Sequence, residues 1–495
     1  MAIREACRRS RRRCNNRSPP VSTGSARRAT SRRSARCSGA ASRTLFVEGV
    51  APHANYRFKH ALIQDAAYDS LLKSRRQPLH RRAAEVLLAS PAPEAEPLAH
   101  HFTQAGQTDL AIEWWGKAGD QALRRSAFAE AISHLGKAIE LSDKSDGAAR
   151  PGESGATASA SERLKLQTSY GNAILWAKGH AAEETKAAFA RIGELAPERG
   201  DAEAAFDAQY GRWGNAIFRG EMASAREMAE SFLREADRLG RPTEAGVGHR
   251  FLGATLFFQG DFAQAAANCE RALALYDPDR DRDAKFRLGM DTAAVATGYL
   301  ALAAWCLGDV ARARTLIDEA LARAVDSTHA PTLVQAYTVQ ETLEVIRDDA
   351  EAARRAAETG VALCRHHGFA LYLALGTLPL AWARAKLDDR GAASAEFRRA
   401  LSEYDSQGLN LMVPHYGGLL AEVEAEGGDA EAALVGIDAA MTLAGKTGEH
   451  WFDAALHRIR GEIFFKQNPA DPAPPKPPSS PPSPSRNSSK PAASS

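Results

Sequence analysis

Four kinds of residue cluster in this chain of 495 residues could carry chemistry. Gly445-Lys446-Thr447 ends like a phosphate-binding loop. Such a loop needs G-x-x-x-x-G-K-[ST], so that backbone N–H groups wrap the phosphates. The position five before Gly445 is Ala440, and a helical pattern leads into it, so the triplet reads as a helix end and turn. Gly246-Val-Gly248 lacks the third glycine and the preceding strand of a dinucleotide site. His100-His101 and His366-His367 offer imidazoles without Cys or carboxylate partners at metal-ligand spacing. Asp348-Asp349 and Asp388-Asp389 fall at turns, where helix capping accounts for them. The fourth kind is a charged loop, Asp277-Pro-Asp-Arg-Asp-Arg282-Asp283, followed by Phe286-Arg-Leu-Gly-Met-Asp291. Its alternating charges suit a peptide or small effector, and a solvated loop between repeats is the simpler reading. Neither G-x-S-x-G nor H-E-x-x-H occurs. The expectation is a chain without catalytic residues, metal ligands or a cofactor.

The elements that must position these residues are helical. From Ser161 to Lys466 apolar residues recur at i, i+3, i+4 and i+7, alanine is abundant and β-branched runs are absent. One punctuation returns: an apolar helix end, a small or acidic turn, then an alanine-rich helix. Its anchors are Gly220, Gly260, Gly308, Asp348, Asp389 and Gly428, spaced 40, 48, 40, 41 and 39 residues apart. A period near 40 predicts a helix–turn–helix solenoid with units longer than the ~34-residue tetratricopeptide. Glycine ends the first helix in the left-handed conformation. The following Asp caps the next helix. Ile217, Phe257, Trp305 and Val345 are the expected knobs, and Ala263, Ala266, Ala311 and Ala313 let the partner helix approach. The array is expected to leave a curved concave face for docking.

Charge divides the chain. Of 63 basic and 61 acidic residues, residues 1–43 hold 13 Arg and one Glu, and residues 468–495 hold three basic residues and one acidic. The remaining body has 47 basic and 59 acidic residues, which argues against nucleic acid as its main ligand. Residues 1–44 hold almost no large apolar side chain to bury, and residues 468–495 hold ten Pro and eight Ser; both ends are expected to be disordered tails. The first reads as a transit peptide, a nucleic-acid tail or a segment without selected function. The second carries PxxP-like spacings at Pro474–Pro478 and Pro478–Pro482. Such ends are also what a GC-rich gene encodes when read out of frame, which would make the body an internal fragment. No apolar run reaches 18 residues, so no membrane span is expected, and Cys7, Cys14, Cys37, Cys269, Cys306 and Cys364 form no C-x-x-C pair. A reducing, cytoplasmic setting is the expectation.

One segment differs from the repeats. Tyr56-Arg-Phe-Lys-His60-Ala-Leu-Ile-Gln-Asp65-Ala-Ala-Tyr68-Asp-Ser-Leu-Leu72, then Arg75-Arg-Gln-Pro-Leu79-His80-Arg81-Arg82, reads as a short strand and a helix with Leu62, Ile63, Ala66, Ala67 and Leu71 inward. It resembles the end of the winged-helix region in STAND-type signalling ATPases. From about Leu45 to Gln467 the chain is similar to the C-terminal part of bacterial adenylate/guanylate cyclase–ATPase–tetratricopeptide fusion proteins. The phrases that carry this are Phe251–Phe262, Ala274–Pro278, Tyr299–Leu302 with Trp305, Leu371–Ala374, and Thr447–Trp451 with Leu456–Gly461. The resemblance implies a nucleotide-sensing place for His60, although Ala61 stands where an Asp is usual. It also implies that the nucleotide-binding and cyclase domains belong to a longer parent.

The resulting expectation is an all-α, tetratricopeptide-like solenoid between disordered N- and C-terminal tails. Residues 45–90 are the winged-helix remnant, 91–142 the first repeats, 143–161 a linker and 162–467 the superhelix. The function expected is a regulatory or scaffolding module that binds a protein partner or small effector. Alternatives are a cyclase or ATPase by family, and an ATPase–repeat transcriptional regulator. Partner, pathway and oligomeric state are not legible.

Overall fold

The computed structural model describes residues 45–48, 55–148, 160–179, 182–195, 202–388 and 390–467. The expected tails, Cys7, Cys14, Cys37 and Asp389 lie outside them. The chain divides into two compact units, residues 1–111 and 112–495.

In the first unit, β1 (Leu45–Glu48) pairs antiparallel with β2 (Asn55–Phe58), Leu45 opposite Phe58. Helix α1 (Ala61–Asp69) follows, then α2 (Lys73–Leu88) and α3 (Ala95–Ala105). The last two form a hairpin that buries His80 and Ala84 of α2 and Leu98, Ala99, Phe102 and Ala105 of α3. The strand and helix appear where the sequence predicts them, but the predicted inward stripe of α1 does not face a core. The helix buries no residue; Leu62 is 81% exposed, and Ala66 and Ala67 are also exposed. Its end reaches across through Tyr68, to His80, and through Asp69, which pairs with Arg76 at 3.6 Å.

Helix α4 (Thr108–Arg124) leads into the second unit. There α5 (Phe128–Ala148), α6 (Ala160–Lys178) and α7 (Glu183–Leu195) precede the repeats. Helix thus extends through Ala148 into the expected linker. The hairpins that follow are α8 (Ala202–Phe218) with α9 (Met222–Arg238), and α10 (Pro242–Phe258) with α11 (Phe262–Leu275). A loop holding the one-turn α12 (Ala284–Arg287) accounts for the 48-residue spacing. Then come α13 (Thr292–Cys306) with α14 (Val310–Asp326), α15 (Ala330–Ile346) with α16 (Ala350–His367), and α17 (Ala370–Leu387) with α18 (Arg390–Ser406). The last are α19 (Val413–Glu426) with α20 (Ala430–Thr447), and α21 (Asp453–Gln467). This is an all-α, tetratricopeptide-like solenoid.

The anchors behave as their chemistry dictates. Gly260 takes φ +82°, its N–H bonds Phe257 O at 2.9 Å and the next N–H bonds Leu256 O at 3.0 Å. That pair satisfies carbonyls the helix end would orphan. The same pair recurs at Gly220, Gly308, Asp348 and Gly428. Asp261, Asp309, Asp349 and Asp429 then accept the third N–H of the next helix.

Burial separates two helix classes. In α10, 13 of 17 residues are buried; in its partner α11, 3 of 14. First helices of each hairpin lie inside and second helices outside. Outer helices bury one stripe: Ala313, Ile317, Ala320 and Ala324 in α14, for example.

The interior is filled rather than open. Phe218 O accepts N–H bonds from Asn410 (3.0 Å) and Leu411 (3.2 Å), and Phe258 O from His450 (2.9 Å) and Trp451 (3.2 Å). Each carbonyl ends an inner helix and is met 192 residues later by the loop before another one. The array thus completes one superhelical turn and seals against itself. Trp176 meets Phe369 edge-on at a matching offset (5.7 Å), and Phe257 packs on Trp451 (5.3 Å). The expected concave docking face is therefore replaced by core between α8 and α21. The reason is side-chain size: Trp213, Phe251, Tyr299, Tyr372 and Trp382 project where an open groove would be.

Candidate functional site

The charged loop does not wave in solvent. Asp281 is 7% exposed, takes Arg280 at 2.7 Å and accepts Thr243 Oγ1–H at 2.5 Å. Arg280 also donates to Leu275 O. Further along, Asn172 of α6 donates through Nδ2 to Phe286 O (3.3 Å) and Arg287 O (3.2 Å). Lys285 holds Ser327 O at 2.7 Å, and Asp291 caps α13 while accepting the Tyr276 hydroxyl. Clamped so, the loop forms one wall of a cleft of about 340 Å³, with α6, α8 and the end of α4 as the others.

The cleft carries charge of both signs. Arg287 bonds Asp207 at 2.9 Å and Glu244 at 2.6 Å, with Glu203 at 3.5 Å. Arg124 pairs with Asp283 at 3.1 Å and covers the Phe286 ring. Asp120 accepts Ser169 Oγ–H at 3.0 Å and faces Lys165 at 3.5 Å. Burial, with Glu203 and Glu244 adding to it and Arg287 opposing, pushes the Asp207 carboxyl up to about 7. Asn172 is 3% exposed, and its Oδ1 is buried without a hydrogen-bond partner. An acceptor with no partner in the protein thus lies beside four carboxylates in a pocket of ligand size.

His60, the expected nucleotide-sensing residue, is exposed at the N-cap of α1; its side chain makes no cap bond. His100 and His101 join His80 in a ring cluster, with Nδ1 of His80 and His101 2.8 Å apart and Tyr68 Oη 2.9 Å from His80 Nε2. Burial, with the neighbouring imidazoles, lowers His101 to about 4. No group of three or more His, Cys, Asp or Glu among the described residues is arranged to hold a metal ion. Gly445, Lys446 and Thr447 form the end of α20, and Gly246 and Gly248 lie buried inside α10. Cys269 and Cys364 are buried, and burial pushes their thiols up to about 12. Asn172, Asp207 and Glu244 escaped the sequence reading. Their one signal is a polar residue at a buried position of a helical run.

No family model matches the chain. An uncharacterized protein of Rhizobium meliloti is 25% identical over 415 residues, covering 82% of this chain and 39% of that one. The chain thus spans about two fifths of that relative's length. Among solved structures, a Rap protein complexed with competence and sporulation factor is 12% identical at a TM-score of 0.43, over 73% of this chain and all but 2% of that one. A STAND protein with a tetratricopeptide repeat sensor from Pyrococcus horikoshii is 14% identical at 0.34, over 73% and 58%. Yeast Tom70 is 13% identical at 0.34, over 83% and 97%. No helix among the described residues is long and apolar enough to cross a membrane.

Proposed function

We propose that the chain is a regulatory or scaffolding repeat module of a longer signalling protein, docking a cationic, donor-rich segment of a protein partner in the cleft beside Arg287. The observation that carries this is the buried, unpaired Asn172 Oδ1 among Asp120, Glu203, Asp207 and Asp283. The three cleft cations, Arg124, Lys165 and Arg287, already face carboxylates, so spare capacity lies with the acceptors. A lysine or arginine side chain, or a run of backbone N–H groups, fits that balance. No reaction is assigned to this chain. If the parent is the cyclase–ATPase fusion that the resemblance implies, occupancy of the cleft would bias the attached catalytic domains. The relative's greater length supports a longer parent.

Peptide-library selection on the purified chain tests the reading. Enriched peptides should carry Lys or Arg, and Asp120→Asn with Asp207→Asn should weaken them at least tenfold. Acidic winners, or binding unchanged in that variant, contradict it. So does cyclic nucleotide production from ATP or GTP by the chain itself. Salt-sensitive DNA binding that survives removal of residues 1–43 would favour a transcriptional regulator instead.

A further inference from the structure

A second cavity, of about 50 Å³, lies inside the array, walled by Tyr210, Trp213, Tyr299, Gln335 and Tyr372. Arg250 of α10 lines it and is 4% exposed. Its guanidinium stays charged at any working pH. Nη2 donates to Leu288 O at 3.0 Å and Nη1 reaches Met290 O at 3.5 Å, whereas Nε–H is buried with no partner. Two carbonyls satisfy part of the fork but supply no negative charge. The carboxylate that acts on Arg250, Asp291, is occupied by the α13 N-terminus and by Tyr276. A buried cation with no carboxylate in direct contact is costly, and one orphaned donor adds to that.

We infer that the cavity beneath Arg250 binds a small monoanion, of a size between chloride and formate. The volume suits it: about 50 Å³ holds one or two water-sized groups, too little for a phosphorylated metabolite. Single charge suits it, since one arginine faces the space. The wall suits it too: Gln335 Oε1 accepts the Tyr372 hydroxyl and its NH2 donates to the Tyr299 oxygen, which leaves one further N–H of that amide as a donor. A neutral water in that space would add no negative charge beside the guanidinium in a low-dielectric interior. The site lies apart from the cleft and does not depend on the docking reading.

Thermal unfolding of the full chain is the test, with bromide, chloride or formate exchanged for gluconate at constant ionic strength. The three small anions should raise the midpoint saturably, by about 2 °C or more, and gluconate should not. Bromide-soaked crystals should show anomalous density in the cavity that Arg250 lines. Arg250→Lys keeps the charge, loses the fork and should bind at least tenfold more weakly. Equal midpoints in bromide and gluconate overturn the inference, as does a cavity without bromide or a saturable rise unchanged in Arg250→Lys. If that variant does not fold, the anion exchange and the bromide density on the wild-type chain decide the matter alone.

Discussion

Inner and outer helices of the same hairpins obey different rules. Outer helices such as α11 and α14 bury one alanine-rich stripe and leave the rest to solvent. Inner helices such as α10 and α17 are covered on nearly every side. In an open solenoid both classes would keep a wet face. The difference shows that the inside of this array is mostly core.

Four substitutions break or sharpen the contrast. Trp382→Ala on inner α17, where the ring is fully buried, should cost about 3–5 kcal/mol, read as a shift in urea midpoint. Val435→Ala on outer α20, 69% exposed, should stay within about 0.5 kcal/mol. Glycine turns give the next contrast. A Cβ on Gly260 would sit 3.3 Å from His450 O across the seam, whereas one on Gly308 meets nothing, and both have positive φ. Gly308→Ala should cost about 1 kcal/mol and Gly260→Ala about 2 kcal/mol, the excess measuring the seam.

His415 on inner α19 is fully buried, packed on Trp451 and Phe452, with both ring nitrogens unpartnered. Burial lowers it from 6.5 to about 3. Between those values the unfolded chain binds the extra proton, so acid erodes stability as pH falls from 6.5 towards 3. His415→Leu should therefore stabilise by about 1 kcal/mol at pH 7, and by more at pH 5, in paired denaturant titrations. A small stabilising effect belongs to Asp348, the anchor that takes φ +58° without being glycine. Asp348→Gly should raise stability by about 0.5 kcal/mol, because its ion pair with Lys386, at 3.6 Å, is exposed on the Asp side.

The sequence made the local grammar readable. Turn positions, Asp caps and helix order follow from Gly and Asp spaced among apolar runs, since those effects act within four or five residues. The seam was not readable: Phe218 and Asn410 carry no mark that pairs them, and the superhelical pitch that brings them together is a property of the whole array. The cleft was half legible. Its loop stood out by charge, but Asn172 and Asp207 gain meaning only when folding delivers Phe286 and Arg287 to them. The stripe of α1 was misread because amphipathic spacing says which residues could be buried, not whether anything covers them.

Hydrogen exchange at the amides of Leu411 and Trp451 tests the closed interior most directly. Both lie just ahead of inner helices and donate to carbonyls 193 residues earlier. Closure predicts protection comparable to that of the cores of α10 and α17. Exchange at the rate of open turn amides, while those helix cores stay protected, would contradict it.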